Sequence, residues 1–117
     1  MKYKATVTAI GDSVLSFIKV RGSIILFDKD VPYAYENMVV SHTKGMLKED
    51  IIPGDKLILA DWEYTVTDVG SEANKTLREH GHCTLVFGDH KKAEMPGQIT
   101  LQGPAPRLMV GDSILFT

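Results

Sequence analysis

The sequence predicts an all-β fold: a small closed or nearly closed β-barrel with one short α-helix. Short runs of aliphatic and β-branched residues recur along the chain, and turn residues such as Arg21-Gly22 and Asp61-Trp62 separate them. Many short strands at this spacing are typical of barrels and sandwiches rather than of α/β folds. Only residues 71–81 have the pattern of a helix.

The predicted strands follow from these runs and lie, in chain order, at Tyr3–Ile10, Val14–Val20, Ser23–Phe27, Met38–His42, Lys56–Ala60, Glu63–Val69, Cys83–Phe87, Gln98–Leu101 and Ser113–Phe116. The second and third strands are predicted to pair around Arg21-Gly22, and the fifth and sixth around Asp61-Trp62. Residues 32–36 predict a loop or a single turn.

The helix over residues 71–81 follows from its end signals. The Ser71 hydroxyl can accept a hydrogen bond from an unpaired N–H group at the start, and Gly81 can supply the left-handed stop. Ala73 and Leu77 lie four positions apart and so share one face. The helix is therefore predicted to end directly before His82.

Similar Gly-Asp turns precede two similar strands, at Gly54-Asp55 and Gly111-Asp112, and Gly11-Asp12 resembles a third copy. Glycine permits a tight turn, and aspartate can accept hydrogen bonds from nearby backbone N–H groups. The pattern predicts either a barrel of two pseudo-symmetric halves or repeated use of a common turn pair. Turn chemistry explains it without a catalytic role.

Length and composition limit the class of protein. The 117 residues predict one domain over residues 1–117, and a net charge of −2 provides no basic stripe for a nucleic acid. Cys83 is the only cysteine, which suits a reducing compartment. No apolar run approaches the ~20 residues of a membrane helix, and the N-terminus lacks a signal-peptide core. We expect a cytoplasmic protein that meets a membrane only through a partner.

Two histidines mark the candidate site. His42 ends an apolar strand shortly before Gly45, and His82 follows Gly81 at the start of another strand. Imidazole has an unperturbed pKa of ~6.5, so near pH 7 it is mostly neutral and can act as a nucleophile. His42 can therefore carry a transferable group or be a hydrogen-bonded histidine at a strand end, and His82 can support that group or cap the preceding helix.

Several short stretches around these histidines recur in one known family in the same order and spacing: Ser41-His42-Thr43-Lys44-Gly45 with Leu47-Lys48 and Pro53-Gly54, Val66-Thr67-Asp68-Val69-Gly70-Ser71, Leu77-Arg78-Glu79, Gly81-His82 with Thr84-Leu85 and Phe87, Ala93-Glu94-Met95-Pro96-Gly97, and Gly103-Pro104 with Pro106. With these stretches, residues 39–117 resemble the glucitol/sorbitol-specific IIA component of the sugar phosphotransferase system.

The resemblance implies a cytoplasmic phosphotransferase that works through a phosphohistidine. His42 would accept phosphate from a histidine-containing phosphocarrier protein and pass it to the IIB component of the IIB/IIC permease during glucitol/sorbitol uptake. Family members can carry a second histidine two places later, where this chain has Lys44. A mechanism that needs two adjacent imidazoles is therefore not expected here.

Groups near His42 could assist that transfer. Thr43 and Lys44 are close in sequence, and His82 could approach if strands 38–42 and 83–87 were neighbours. Phosphoryl transfer depends mainly on positioning and electrostatics, so a hydroxyl, a cation or a second imidazole would each help. We predict His42 as the catalytic residue, and His82, Lys44 and Thr43 as supporting residues. Lys44 could equally be a solvated charge, and His82 a helix cap.

Two other functions remain open at this stage. His80, His82 and His90 with Asp89 are a poor match for a zinc site, which needs three or four ligands at defined spacing. A non-catalytic binding or regulatory barrel also fits the pattern. Cys83 alternates onto the predicted core face and is therefore a poor nucleophile. We expect no metal and no cofactor, since no phosphate-binding or dinucleotide motif is present.

Overall fold

The computed structural model describes residues 1–117. The chain forms eight strands: β1 Tyr3–Ile10, β2 Ser23–Asp28, β3 Val40–His42, β4 Lys56–Leu59, β5 Trp62–Val69, β6 Cys83–Gly88, β7 Gln98–Gln102 and β8 Ser113–Phe116. They close into a barrel in the order β1-β3-β2-β6-β7-β5-β4-β8. The predicted closed barrel is confirmed.

Two α-helices accompany the strands, α1 Val14–Arg21 and α2 Ala73–His80, where the sequence predicted one. The predicted strand over Val14–Val20 is wrong. Apolar side chains at positions 14, 17 and 18 have the i, i+3, i+4 spacing of a helix face, which outweighs the β-branched composition of the segment. Gly22 ends α1 with a left-handed φ of 63°.

Two smaller predictions also change. A 3-10 helix spans Tyr33–Met38, where the sequence predicted a loop or a single turn. The turn between β4 and β5 lies one residue earlier than predicted, at Ala60 and Asp61, whose φ values of 52° and 67° are both positive. Such a two-residue turn matches the twist of a hairpin, which explains the direct pairing of the two strands.

The barrel consists of two halves with the same order of elements. The series β1, α1, β2 and β3 corresponds to β5, α2, β6 and β7, and β8 corresponds to β4. The strand registers agree: Val7 pairs with His42 in the first half as Val66 pairs with Leu101 in the second. The pseudo-symmetric halves suggested by the sequence are thus present.

The Gly-Asp turns before β4 and β8 are equivalent. In Gly54-Asp55, the carboxylate accepts the Ile52 N–H at 2.9 Å, and in Gly111-Asp112 it accepts the Met109 N–H at 2.7 Å. The suggested third copy is wrong, because Gly11-Asp12 leads into α1 rather than into a strand. Each of the two true copies starts a strand at the junction between the halves.

The hydrophobic core is a single cluster of 22 buried residues. Side chains alternate along the strands, as in β6, where Cys83, Leu85 and Phe87 are buried. Only four polar or charged residues are buried in the whole chain, namely Asp28, Ser41, His42 and Thr100. Buried polar groups are costly unless they are hydrogen-bonded, so these four positions are candidates for a functional role.

Candidate functional site

His42 lies at the end of β3 with its ring inside the protein. β3 is held between β1 and β2, where His42 pairs with Val7 on one side and with Asp28 on the other. The residue is completely buried, with an exposed fraction of 0%. The predicted strand Met38–His42 is confirmed in part, since β3 begins only at Val40, and its pairing with β1 and β2 fixes the imidazole between two neighbouring strands.

Both ring nitrogens of His42 contact main-chain carbonyl groups. Nδ1 lies 2.7 Å from the Thr43 oxygen, and Nε2 lies 2.8 Å from the Gly81 oxygen. A neutral imidazole has a single N–H group, so only the doubly protonated ring can donate both hydrogen bonds. In this arrangement neither nitrogen is free to act as a nucleophile.

Gly81 brings its carbonyl to the ring by ending α2. It has a φ of 61°, and its N–H bonds to the Leu77 oxygen at 3.0 Å. A Cβ at this position would lie 2.6 Å from His42 Cε1. The predicted glycine stop is confirmed, and it serves the site because only glycine lets the backbone approach the imidazole this closely. The predicted Ser71 cap is wrong, since Glu72 precedes the helix without a side-chain cap bond.

Asp28 and Tyr3 complete the surroundings of the ring. Asp28 is 8% exposed, and its Oδ1 accepts the Asp30 N–H at 2.9 Å. The Tyr3 ring meets the His42 ring edge-on, with centroids 6.2 Å apart, and burial raises the pKa of Tyr3 to about 12. Sequence analysis missed both residues. The one available signal for Asp28 was an acid directly after a run of apolar residues.

The second half of the barrel shows that the fold does not need these polar groups. The positions equivalent to His42 and Asp28 are Leu101 and Phe87, which pair with each other in the same parallel register. Both are buried in the hydrophobic core. Apolar side chains therefore fill the same place in the same architecture, so the structural role alone does not account for a buried histidine beside a buried aspartate.

The structure does not bring His82 to His42. β2 lies between β3 and β6, so the strands that carry the two histidines are not neighbours. The His82 ring packs against Phe27 with centroids 4.9 Å apart, and Nδ1 lies 3.0 Å from the Leu26 oxygen. The ring borders an apolar groove of about 200 Å³, lined also by Ile25, Phe27, Tyr35, Met38 and Val39. The link between the two histidines is the Gly81 carbonyl.

Lys44 and Thr43 lie at the surface beside the buried ring. Lys44 forms an ion pair with Asp30, which raises the pKa of the lysine and lowers that of the aspartate, mainly through their hydrogen bond. The Thr43 hydroxyl accepts the Thr6 N–H at 3.0 Å, and the Thr43 N–H donates to the Thr6 oxygen at 2.9 Å. The supporting groups are therefore engaged elsewhere in this conformation.

Cys83 is expected to be inert towards thiol reagents. The residue is fully buried, and burial raises the pKa of its thiol to about 12. At pH 8 almost no thiolate forms, and the thiolate is the reactive species. Labelling of the native protein with an aromatic disulfide at pH 8 should proceed only after denaturant is added. Rapid labelling without denaturant would contradict this burial.

No group of three or more histidine, cysteine, aspartate or glutamate side chains is arranged to hold a metal ion. Neither helix has the length and apolar character that crossing a bilayer demands.

Comparison with known proteins gives concordant results. The family model for the "PTS system glucitol/sorbitol-specific IIA component" matches residues 2–115. Proteins of Escherichia coli (strain K12) and Shigella flexneri, both described as PTS system glucitol/sorbitol-specific EIIA components, are each 36% identical over 113 residues, covering 97% of this chain and 91% of theirs. The crystal structure of a PTS system IIA component from Enterococcus faecalis V583 is similar, with a TM-score of 0.83, 29% identity and coverage of 97% of this chain and 98% of that one.

Proposed function

The chain belongs to the family of glucitol/sorbitol-specific IIA components of the phosphotransferase system, and from that premise we propose that residues 1–117 act as one phosphoryl-carrier domain with His42 as the carrier. The observation that supports His42 most strongly is the contrast between the halves of the barrel. A buried His42 and Asp28 stand where the other half has Leu101 and Phe87.

The chemistry requires one nitrogen of a neutral imidazole. A neutral His42 ring has one N–H, which donates to one of the two carbonyls, and the contact between the other nitrogen and its carbonyl opens. The freed lone pair attacks phosphorus as the donor's N–P bond breaks, while the donor imidazole takes back its own lone pair. The other His42 nitrogen keeps its hydrogen, and the remaining carbonyl holds the ring in that tautomer.

The cost of this step is local movement around a buried ring. Phosphorylation adds about −1.5 to −2 charges, which the closed arrangement cannot accommodate without displacing a carbonyl. Thr43 is exposed and begins the segment between β3 and β4, so displacing its carbonyl from the ring would not disturb the buried core. Lys44 then becomes the nearest cation in sequence for the phosphoryl oxygens, provided that it leaves Asp30, and the Thr43 hydroxyl can donate to them.

The partners follow from the family. The phosphoryl donor is a histidine-containing phosphocarrier protein, and the acceptor is the IIB component of a glucitol/sorbitol permease on the cytoplasmic side of the membrane. Transfer between two imidazoles is nearly balanced in energy, so the step needs no nucleotide or metal. His82 would contribute to partner binding rather than to the transfer step. Its ring borders an apolar groove beside the site, where an apolar side chain of a partner can contact Phe27 and Met38.

The direct test is phosphorylation of the purified chain. Incubation with phosphoenolpyruvate, the general transferase enzyme and the phosphocarrier protein should give a phosphate that is labile in acid and stable in alkali. Mass spectrometry of peptides kept at alkaline pH should locate it on residue 42. A chain that remains unlabelled while the phosphocarrier is fully phosphorylated would instead be a non-catalytic binding or regulatory barrel.

A further inference from the structure

The peptide group between Gly81 and His82 contacts the His42 site at one end and α2 at the other. Its carbonyl oxygen lies 2.8 Å from His42 Nε2, and its N–H donates to the Thr76 oxygen at 3.2 Å. The N–H and C=O of a trans peptide group point in opposite directions within one plane. Anything that fixes the N–H therefore also fixes the direction of the carbonyl towards the imidazole.

Thr76 holds the next main-chain group as well. Its hydroxyl lies 2.6 Å from the His82 carbonyl oxygen, closer than to the Glu72 and Ala73 oxygens of its own helix at 3.2 and 3.3 Å. The single hydroxyl hydrogen is best placed for the His82 carbonyl. Thr76 thus contacts both the N–H and the C=O of His82, the residue that follows the carbonyl at the site.

The first half of the barrel forms the same corner without a hydroxyl. The residue equivalent to Thr76 is Phe17, and α1 ends at Gly22, which has nearly the same φ as Gly81, 63° against 61°. The Gly22 carbonyl accepts an ordinary main-chain bond from the Phe87 N–H at 2.8 Å. A helix, a glycine and a strand can therefore follow one another in this fold with no threonine, so folding alone does not require the hydroxyl at position 76.

We infer that Thr76 is a positioning residue for His42: through the main chain of His82 it sets the orientation of the Gly81 carbonyl, and thereby that of the imidazole. This inference rests on the proposed function, because it concerns the histidine proposed to carry the phosphoryl group. The hydroxyl makes no contact with His42 itself. Its effect passes through two adjacent peptide groups.

The test removes the hydroxyl while keeping the shape of the side chain. Thr76→Val should shift the ring ¹⁵N and Hε1 signals of His42 in NMR spectra of the full chain. It should also change the rate of phosphoryl acceptance by about three- to tenfold, the range expected for loss of one hydrogen bond. If the Gly81 carbonyl holds the nitrogen that does not react, loss of the hydroxyl lowers the rate because the ring loses its orientation. If the Gly81 carbonyl faces the reacting nitrogen, loss of the hydroxyl raises the rate because that nitrogen is released more easily. Thr76→Ser, which keeps a hydroxyl, should restore both properties.

The control is Thr65→Val on β5, which also removes a hydroxyl. This hydroxyl accepts a hydrogen bond from Lys56 Nζ on the outside of the barrel. It should leave the His42 signals and the rate unchanged. If T76V does not fold, Thr76→Ala removes the same hydroxyl with a residue that favours helix. The inference is overturned if the hydroxyl-free variant has unshifted His42 signals and a rate within twofold of the wild-type rate. A lower melting temperature of that variant would not rescue it.

Failure of the proposed function is a separate outcome. If the wild-type chain accepts no phosphate on residue 42, the carrier proposal fails, whereas the ring signals of His42 still report whether Thr76 orients it. If the wild type is labelled and T76V is indistinguishable from it in both measurements, only the positioning role fails.

Discussion

Replacing His42 with glutamine is expected to abolish phosphorylation of the chain. The glutamine amide can donate a hydrogen bond to a neighbouring carbonyl, but it has no nitrogen lone pair able to attack phosphorus. Loss of a nucleophile should lower the labelling rate by roughly 10³-fold or more. The measurement is the initial rate of acid-labile phosphate formation with the phosphocarrier protein as donor, combined with circular dichroism to verify folding.

Two other histidines provide the comparison for His42→Gln. His90 is exposed, so His90→Gln should label at the wild-type rate. His82→Gln is the critical one, because only Nδ1 of His82 is hydrogen-bonded and its ring is partly exposed. Labelling that survives in H42Q and disappears in H82Q would transfer the carrier role to His82.

Much of the fold could be predicted because local patterns and tertiary structure agree. Strands such as β1 and β8 were predicted to the residue, since alternation and bounding turn residues both mark them. The segment at Val14–Arg21 failed because its β-branched content and its helix spacing conflict. The equivalence with α2 could not resolve the conflict, because the two helices differ at every aligned position and only the structure shows that they correspond.

The candidate site was predictable only in part. His42 could be singled out from its place after an apolar strand together with the family resemblance. Its partners could not, because Asp28 reaches it through a parallel pairing and Gly81 through the end of a distant helix. His82 could have approached His42 only if their strands were neighbours, and β2 separates them. Contacts between residues far apart in sequence depend on strand order, which no local pattern encodes.

Under the proposed carrier role, the burial of His42 has a consequence for phosphoryl transfer. A ring whose two nitrogens both face carbonyl oxygens can accept a phosphoryl group only after one of these contacts opens. In this proposal, docking of the phosphocarrier would open the contact of the ring with the Thr43 or the Gly81 carbonyl. A substitution of Gly81 therefore tests the geometry of the site most directly.

Gly81→Ala is expected to disable the site, whereas Gly22→Ala, its counterpart in the other half, is expected to preserve it. Both glycines end a helix with nearly equal φ, so both substitutions should lose about 1 kcal/mol to left-handed strain. They differ in their surroundings: a Cβ at residue 81 would lie 2.6 Å from His42 Cε1, whereas one at residue 22 meets nothing closer than the Phe87 oxygen at 3.4 Å.

The difference between the two variants isolates the clash with the imidazole. Urea unfolding should show G81A to be less stable than G22A by a further ~1–3 kcal/mol, the range for overpacking a buried position. Phosphoryl acceptance should remain near the wild-type rate in G22A and fall by at least about tenfold in G81A, because the displaced ring loses its alignment. Equal stability of the two variants, with full phosphorylation of G81A, would show that the close approach of Gly81 to His42 is not needed for transfer.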